Sequence, residues 1–344
     1  MGDLKAVEFD RDTVLMQHRV SSADRAVITL ATTKMLYVEM AFVLARSFML
    51  WNRGSGIAFY IFTDVDFAVP AELQTVVNVK RVPFGALGKG FSSKLHLDQL
   101  APASQTLFID ADCLVIGPLA EVFDRFAGRA VSVVGEKLST GLWFGDVAKI
   151  CARIGVPAID GFNGGVYYVE PGPAATAIYE RARVIEKKYD SWELVLLRGH
   201  PNDELLMAIA MAEAGLHAVS DDGTIMAPLN SYGVFIALDV LDGRCAIANP
   251  PPGHKLHRPG TPVRTVQPKI LHFVDSYTTH WRYRAEALKL KLHLGAGLPR
   301  WLARLIAFWA IVIPGWIELT GKEQLRPVYR AIFGVRSVKP NPRV

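Results

Sequence analysis

Cysteine is scarce: Cys113, Cys151 and Cys245 are the only three in 344 residues, and they stand far apart. That spacing supplies neither a disulfide framework nor a zinc ligand set, and it points to a reducing compartment. The N-terminal MGDLKAVEFDRD lacks the apolar core of a secretory signal, and lacks the Ser or Thr that a myristoylation site wants after its Gly. A cytoplasmic location is the expectation. No internal repeat and no low-complexity tract interrupts the chain. The apolar run at 305–313 stops at Pro314, well short of the ~20 residues needed to cross a bilayer, so no spanning helix is expected. Negative charge is missing from the tail. From residue 282 onward there are 12 Lys and Arg against three Glu and no Asp, a balance of +9 that leaves −4 for the rest of a chain with net charge +5. The basicity is local, so no nucleic-acid partner is expected.

What is present suits a large packed core: 51% hydrophobic residues, with 17 Phe, 10 Tyr and 7 Trp. Strand-like and helix-like stretches alternate. RAVITLAT (25–32) reads as a strand and MLYVEMAFVLARSFMLW (35–51) as a helix. IAFYIFTD (57–64) is a second strand, Pro70 opens a helix, and NVKRVPF (78–84) is a third strand. SSKLHLDQL (92–100) reads as a helix with a Ser N-cap, and TLFID as a fourth strand. This alternation predicts an α/β domain with a mostly parallel sheet, in which ligands sit beyond the carboxyl ends of the strands. Further on, FNGGVYYVEP (162–171) reads as a strand, AATAIYERARVIEKKYDSW and NDELLMAIAMAEAG as helices, 249–268 as a loop, and KILHFVDS (269–276) as a last strand.

FIDADCLVIGPL (108–119) places two carboxylates, Asp110 and Asp112, inside an apolar run. Burying them is costly unless a positive group meets them. In isolation such a pair can be a turn cap and a salt bridge. At a strand's end the two can also converge on one hard cation.

Several stretches in order resemble the glycogenin-like (family 8) retaining glycosyltransferases of GT-A fold: ITLATTKMLYVEMAFVLARSF, SSKLHLDQL, TLFIDADCLVIGPLAEVFD, FNGGVYYVEP and ILHFVDS. Together they span roughly residues 26–281. The resemblance implies a Rossmann-like, mostly parallel sheet flanked by helices over 1–281, with a helical extension over 282–344. It implies a nucleotide-diphosphate sugar donor, UDP-linked, and a divalent cation, Mn²⁺ or Mg²⁺, held by Asp110, Asp112 and His272. Thr32 and Tyr37 are implied to cradle the base, Lys94 to reach the diphosphate, and Ala111 and Gly164 to touch the donor. Asn163 and Gly165 are implied to line the sugar pocket, and Asp203 to stand near the reacting carbon. Ordinary readings stand beside these: a solvated helix lysine for Lys94, core packing for Tyr37, a satisfied strand histidine for His272, a turn signal for Asn163, and a helix-start carboxylate for Asp203.

The chain departs from the family where the histidine strand should lead to a Gly and a phosphate-gripping Lys. Here it reads HFVDSYTTHW, with Asp275 near the Gly position, and His280, Arg282 or Arg284 are the candidate substitutes. In the tail, Trp301, Trp309 and Trp316 fall on one side of a helix that starts with Arg300 and Arg304. Lys322, Arg326, Arg330, Arg336, Lys339 and Arg343 follow. Such a segment suits an anionic membrane surface, with packing on its own domain or on a partner chain as the alternative. The expected acceptor is therefore a glycan or glycolipid at the cytoplasmic membrane face. From another class, an inactive nucleotide-sugar-binding scaffold would be expected to have lost one of the three metal ligands, and all are present. A nucleotidyltransferase would want a Gly-rich basic loop after the first strand, and LATTKMLY is not one.

Overall fold

The computed structural model of the chain describes residues 23–334. The charged N-terminal stretch and the basic residues Arg336, Lys339 and Arg343 lie outside them. Apolar runs rich in β-branched and aromatic residues suit strands covered on both faces. They form β1 (Arg25–Leu30), β2 (Ala58–Thr63) and β3 (Val77–Arg81), with α1 (Met35–Asn52) between the first two. Pro70 is followed only by the 3-10 turn Ala71–Leu73. The SSKLHLDQL stretch is a 3-10 segment, Gly90–His96, running into the single turn α2 (Leu97–Leu100). The expected Ser N-cap is not made, because Ser92 donates its hydroxyl to the Glu186 carboxylate instead.

Next come β4 (Gln105–Ile109), β5 (Cys113–Val115), α3 (Ala120–Phe126), β6 (Val131–Ser132), β7 (Val134–Leu138), α4 (Val147–Ile154), β8 (Ile159–Phe162) and β9 (Val166–Val169). The central sheet has the order β3-β2-β1-β4-β9-β6. Its first four strands are parallel, and β9 runs antiparallel to both neighbours. Side chains alternate across it. Ile28, Phe62, Phe108 and Tyr167 face the core under α5 (Pro173–Glu186) and α6 (Asp203–Glu213), while Val27, Ile61, Leu107 and Tyr168 face the core under α1. The mostly parallel, helix-flanked α/β architecture is the expected one.

The remaining strands are β10 (Val219–Ser220), β11 (Met226–Pro228), β12 (Val234–Asp239), β13 (Arg244–Asn249), β14 (Arg264–Val266) and β15 (Ile270–His272). β15 lies between β11 and β5, with His272 directly opposite Cys113. The stretch 249–268 is mostly loop, as expected, but it carries β14. A third core joins Leu114, Leu271 and Phe273 to Tyr283 and Leu290 of α7 (Trp281–Leu290) and to Ala303 of α8 (Arg300–Ala307).

The tail differs from expectation in length. α8 continues through a π-helical turn, Phe308–Val312, into α9 (Ile313–Phe333) without a break. Pro314 falls in the first turn of α9, where the widened turn before it tolerates a missing N–H. The 23-residue stretch Arg300–Lys322 is therefore long and apolar enough, by length and composition, to cross a membrane. Arg300 and Arg304 do not stand free at its start. Arg304 Nε bonds Asp239 Oδ2 at 2.7 Å, and Arg300 Nη1 lies 3.9 Å from Asp242 Oδ1. These pairs clamp the helix base onto the β12–β13 hairpin.

Candidate active site

β4 ends at Ile109, and the next three residues form the turn that reverses the chain into β5. The turn is fixed by its backbone. Asp110 N–H donates to Gly165 O, Cys113 N–H to Asp110 O, and Phe273 N–H to Asp112 O, each at 3.0 Å. The carboxylates of Asp110 and Asp112 thus leave the sheet together, and the pairing of β15 with β5 brings His272 beside them. His272 Nε2 lies 3.0 Å from Asp112 Oδ1 and 3.8 Å from Asp110 Oδ2. Its Nδ1 meets Asn163 Oδ1 at 2.6 Å. The Asn163 amide oxygen accepts there and also from Gly165 N–H at 3.2 Å, so Nδ1 carries a proton and Nε2 is the nitrogen that faces the carboxylates.

A lysine and an imidazole meet the aspartates from within the chain. Lys94 Nζ donates to Asp110 Oδ2 at 2.6 Å and to Gly164 O at 2.9 Å, with Asp203 Oδ2 at 3.9 Å. Burial works against the Lys94 charge, but Asp110 and Asp203 outweigh it and hold its pKa above the ordinary lysine value. His272 behaves alike: burial disfavours its imidazolium, yet Asp112 and Asp110 raise its pKa overall. Burial first, and then Asp112, push the Asp110 carboxyl up despite Lys94.

The atoms that lie close enough together to share one ion are those of Asp112, Cys113 and His272, while Asp110, 3.8 Å from His272 Nε2, is engaged by Lys94. A carboxylate and an imidazole whose ring is oriented by the Asn163 amide suit a divalent ion. Burial and the two aspartates raise the Cys113 pKa well above the usual thiol value, which favours the thiol over the thiolate.

Behind the turn, α6 starts with Asn202 as N-cap, its Oδ1 accepting from Glu204 N–H at 2.7 Å and Leu205 N–H at 3.3 Å. Asp203, 2% exposed, accepts from the Tyr167 hydroxyl at 2.6 Å. Glu204 Oε1 accepts from Gly164 N–H at 2.7 Å. Burial and the Asp203 charge push the Glu204 carboxyl up to about 7. Nothing in the sequence marked Glu204 apart from the helix-start acids around it. Only its position against Gly164 singles it out.

These groups share a cleft of about 710 Å³ at the carboxyl ends of the parallel strands. Thr32, Tyr37, Lys94, Asp110, Ala111, Asp112, Asn163, Gly164, Asp203 and His272 all line it. Gly165 is the exception among the expected residues. It sits beneath His272, where a Cβ would stand only 2.4 Å from Nδ1. The missing Cβ leaves clearance for the imidazole. Tyr37 is half-buried on the wall, with Lys34 Nζ 5.8 Å from its ring centroid. At the turn before it, Thr33 adopts φ 70 and donates its N–H to Asp64 Oδ1 at 2.6 Å. His280, Arg282 and Arg284 are not on this wall. Arg282 stacks over Trp281 and Phe235 instead, at 4.2 and 4.5 Å.

No protein-family model and no curated protein matches the chain. Among solved structures, a galactosyltransferase LgtC complex with donor and acceptor sugar analogs is similar, with TM-score 0.43 and 16% identity over 58% of this chain and 75% of that one. Mouse xyloside xylosyltransferase 1 in its apo form aligns with TM-score 0.42 and 14% identity, covering 60% of this chain and 88% of that one. The glycosyltransferase GlyE of Streptococcus pneumoniae TIGR4 gives 0.41 and 14%, covering 60% of this chain and 48% of GlyE, about half its length.

Proposed function

We propose that the chain is a metal-dependent glycosyltransferase of GT-A layout. It would move a sugar from a nucleotide-diphosphate donor, UDP-linked, to a glycan or glycolipid acceptor at the cytoplasmic face of a membrane. The single observation that carries the chemistry is the meeting of Asp110, Asp112 and His272 in one cleft with Lys94, Asn163 and Asp203. A Mn²⁺ or Mg²⁺ ion on the two aspartates and His272 would neutralise the charge that collects on the departing diphosphate.

The chain's own residues supply the rest. Lys94, desolvated and held by Asp110 and the Gly164 carbonyl, is a fixed positive charge that needs no reorganisation when the leaving group becomes negative. Thr32 and Tyr37 form the wall against which a base can stack. Asn163 orients His272. Glu204, with its pKa near neutrality, can accept from or donate to a sugar hydroxyl. Retention of configuration is proposed on the family resemblance alone. The exposed helix formed by α8 and α9, with its bare Trp side chains, is proposed as the membrane-surface attachment.

A panel of UDP- and GDP-sugars with Mn²⁺, scored for released nucleotide, tests this. UDP release from at least one donor, abolished by EDTA, is expected. No release from any donor, despite tight nucleotide binding, would favour the inactive scaffold. Neither binding nor release would remove the nucleotide-sugar reading.

A further inference from the structure

Among the described residues, five non-glycine residues have positive φ: Thr33, Phe144, Glu193, Arg198 and Asp275. All but Glu193 line the one cleft. Such backbone is held only where the surroundings over-determine it, and it gathers at functional sites. Two of these four meet each other. Arg198, φ 53, leaves the loop before α6, Asp275, φ 60, follows β15, and their side chains form an ion pair.

The cations on the cleft wall are not equivalent. Lys94 has only 12% of its side chain exposed and spends two of its three N–H groups on Asp110 and the Gly164 carbonyl. His200 packs tightly on Gly90, where an added Cβ would stand 2.8 Å from its Cγ. Lys34 lies over Tyr37, and Lys89 is an exposed lining residue at the turn before the 90–96 segment. Arg198 and Asp275 are 42% and 47% exposed, and an ion pair so open to water holds its partners weakly. Arg198 also sits near enough to Tyr37 for its charge to act on the phenol. A guanidinium at that place can exchange one carboxylate for the two oxygens of a phosphate. Asp275 would repel a diphosphate, and its pairing with Arg198 offsets that charge only until the phosphates draw the guanidinium away.

We infer that Arg198 is the second diphosphate-binding cation of the cleft, parked on Asp275 until the donor's phosphates take it. This rests on the nucleotide-diphosphate reading above. The arrangement takes the place of the missing lysine without His280, Arg282 or Arg284, and it makes Asp275 a competitor of the ligand.

The test is NMR titration of the full-length protein with UDP and with uridine, in Mg²⁺, for wild type, Arg198→Gln, Arg198→Lys and Asp275→Asn. Losing a charge-assisted, two-pronged contact should weaken UDP about tenfold or more in Arg198→Gln, leave uridine within about twofold, and place Arg198→Lys between. Asp275→Asn should bind UDP more tightly than wild type. A purely structural ion pair predicts that both partners' variants weaken binding together. The inference is overturned if a folded Arg198→Gln binds UDP within about twofold of wild type, or if Asp275→Asn binds it more weakly. A wild-type protein that binds no UDP at all defeats the nucleotide reading itself, a different failure from either.

Discussion

The cleft and the C-terminal helix break the ordinary partition of residues in opposite directions. In the cleft, charge is buried: Asp203 is 2% exposed and His272 5%. Along the helix, large apolar side chains are bare: Trp301 is 64% exposed, Trp309 63% and Ile332 67%. Both states are costly, but the costs are met in different places. The buried charges find reciprocal partners from the β4–β5 turn, the 90–96 segment, the 163–165 turn, the start of α6 and β15, so the cleft offsets much of its desolvation from within, with Asp110 and Glu204 still pushed toward their protonated forms. Nothing among the described residues covers the outer face of α8 and α9. A buried charge cluster is explained by looking inward, whereas an apolar stripe of this size calls for an outside surface.

The sharpest way to break that contrast is to remove one member of the cleft's set. Asp112→Asn keeps the size of the side chain and the Phe273 N–H to Asp112 O bond, which is made by backbone. The fold should survive. Donor hydrolysis should fall by a few kcal/mol in transition-state stabilisation, close to complete loss, because a ligand charge is gone where negative charge accumulates. Full turnover in the variant, or in wild type with EDTA, would show that the aspartates serve only structure.

Next in size is Gly165→Ala, which adds one methyl carbon where only 2.4 Å is available to His272 Nδ1. The imidazole must swing away, losing Asn163 and its place beside Asp112. A displacement of about 1 Å at such a site costs on the order of 10²-fold in rate. Donor turnover should drop accordingly, and the overpacking should also cost about 1–3 kcal/mol of stability. Unchanged activity would mean that His272 has no part in the chemistry.

Legibility in the sequence follows how local each signal is. The first strands and α1 were readable because their apolar periodicity is long and uninterrupted. The aspartate pair and His272 were readable because charge stood inside apolar runs. The FNGG stretch was not resolved into β8, a turn and β9, since its glycines are used for a close approach that involves β15, over 100 residues away. The β12–β13 hairpin shows little in the sequence beyond the Asp242–Gly243 turn, with Gly243 at φ 65. Glu204 and Arg198 carried no local mark at all. Their roles arise from Gly164 and Asp275, which the chain brings to them only after folding. The Ser N-cap at 92 failed because Ser92 found Glu186 of α5 instead.

A smaller effect tests whether the cleft's buried acids really weigh on the fold. Burial, and then Asp203, raise Glu204 from the ordinary glutamate value to about 7. A carboxyl whose folded pKa is raised contributes stability that is complete below its unfolded pKa and is lost as pH rises through the folded one. Wild type should therefore lose thermal stability between about pH 5 and about pH 8. Glu204→Gln, which mimics the protonated form and keeps an acceptor for Gly164 N–H, should flatten that slope. Parallel melting curves for the two proteins across this range would show that Glu204 ionises without cost.

The least disruptive prediction concerns the helix, where the contrast demands that apolar groups be removable without harm. Ending the chain near Arg284 cannot test this, because Leu290 and Ala303 would leave the third core and Asp239, 6% exposed, would lose Arg304. The cleaner change is Trp309→Ser, Trp316→Ser and Ile317→Ser together, at sites 63%, 57% and 58% exposed. Substitutions on an exposed face usually change stability by less than about 0.5 kcal/mol each, so Tm should move by only about 2–4 °C and donor hydrolysis should not change. Wild type should float with anionic vesicles, partly resisting high salt because the Trp side chains and not only Arg326 and Arg330 hold it there. The triple variant should stay with the soluble fraction. If wild type ignores vesicles at both salt concentrations and instead dimerises through this face, with the triple variant monomeric, then the outside surface is a second copy of the chain and the membrane proposal is wrong.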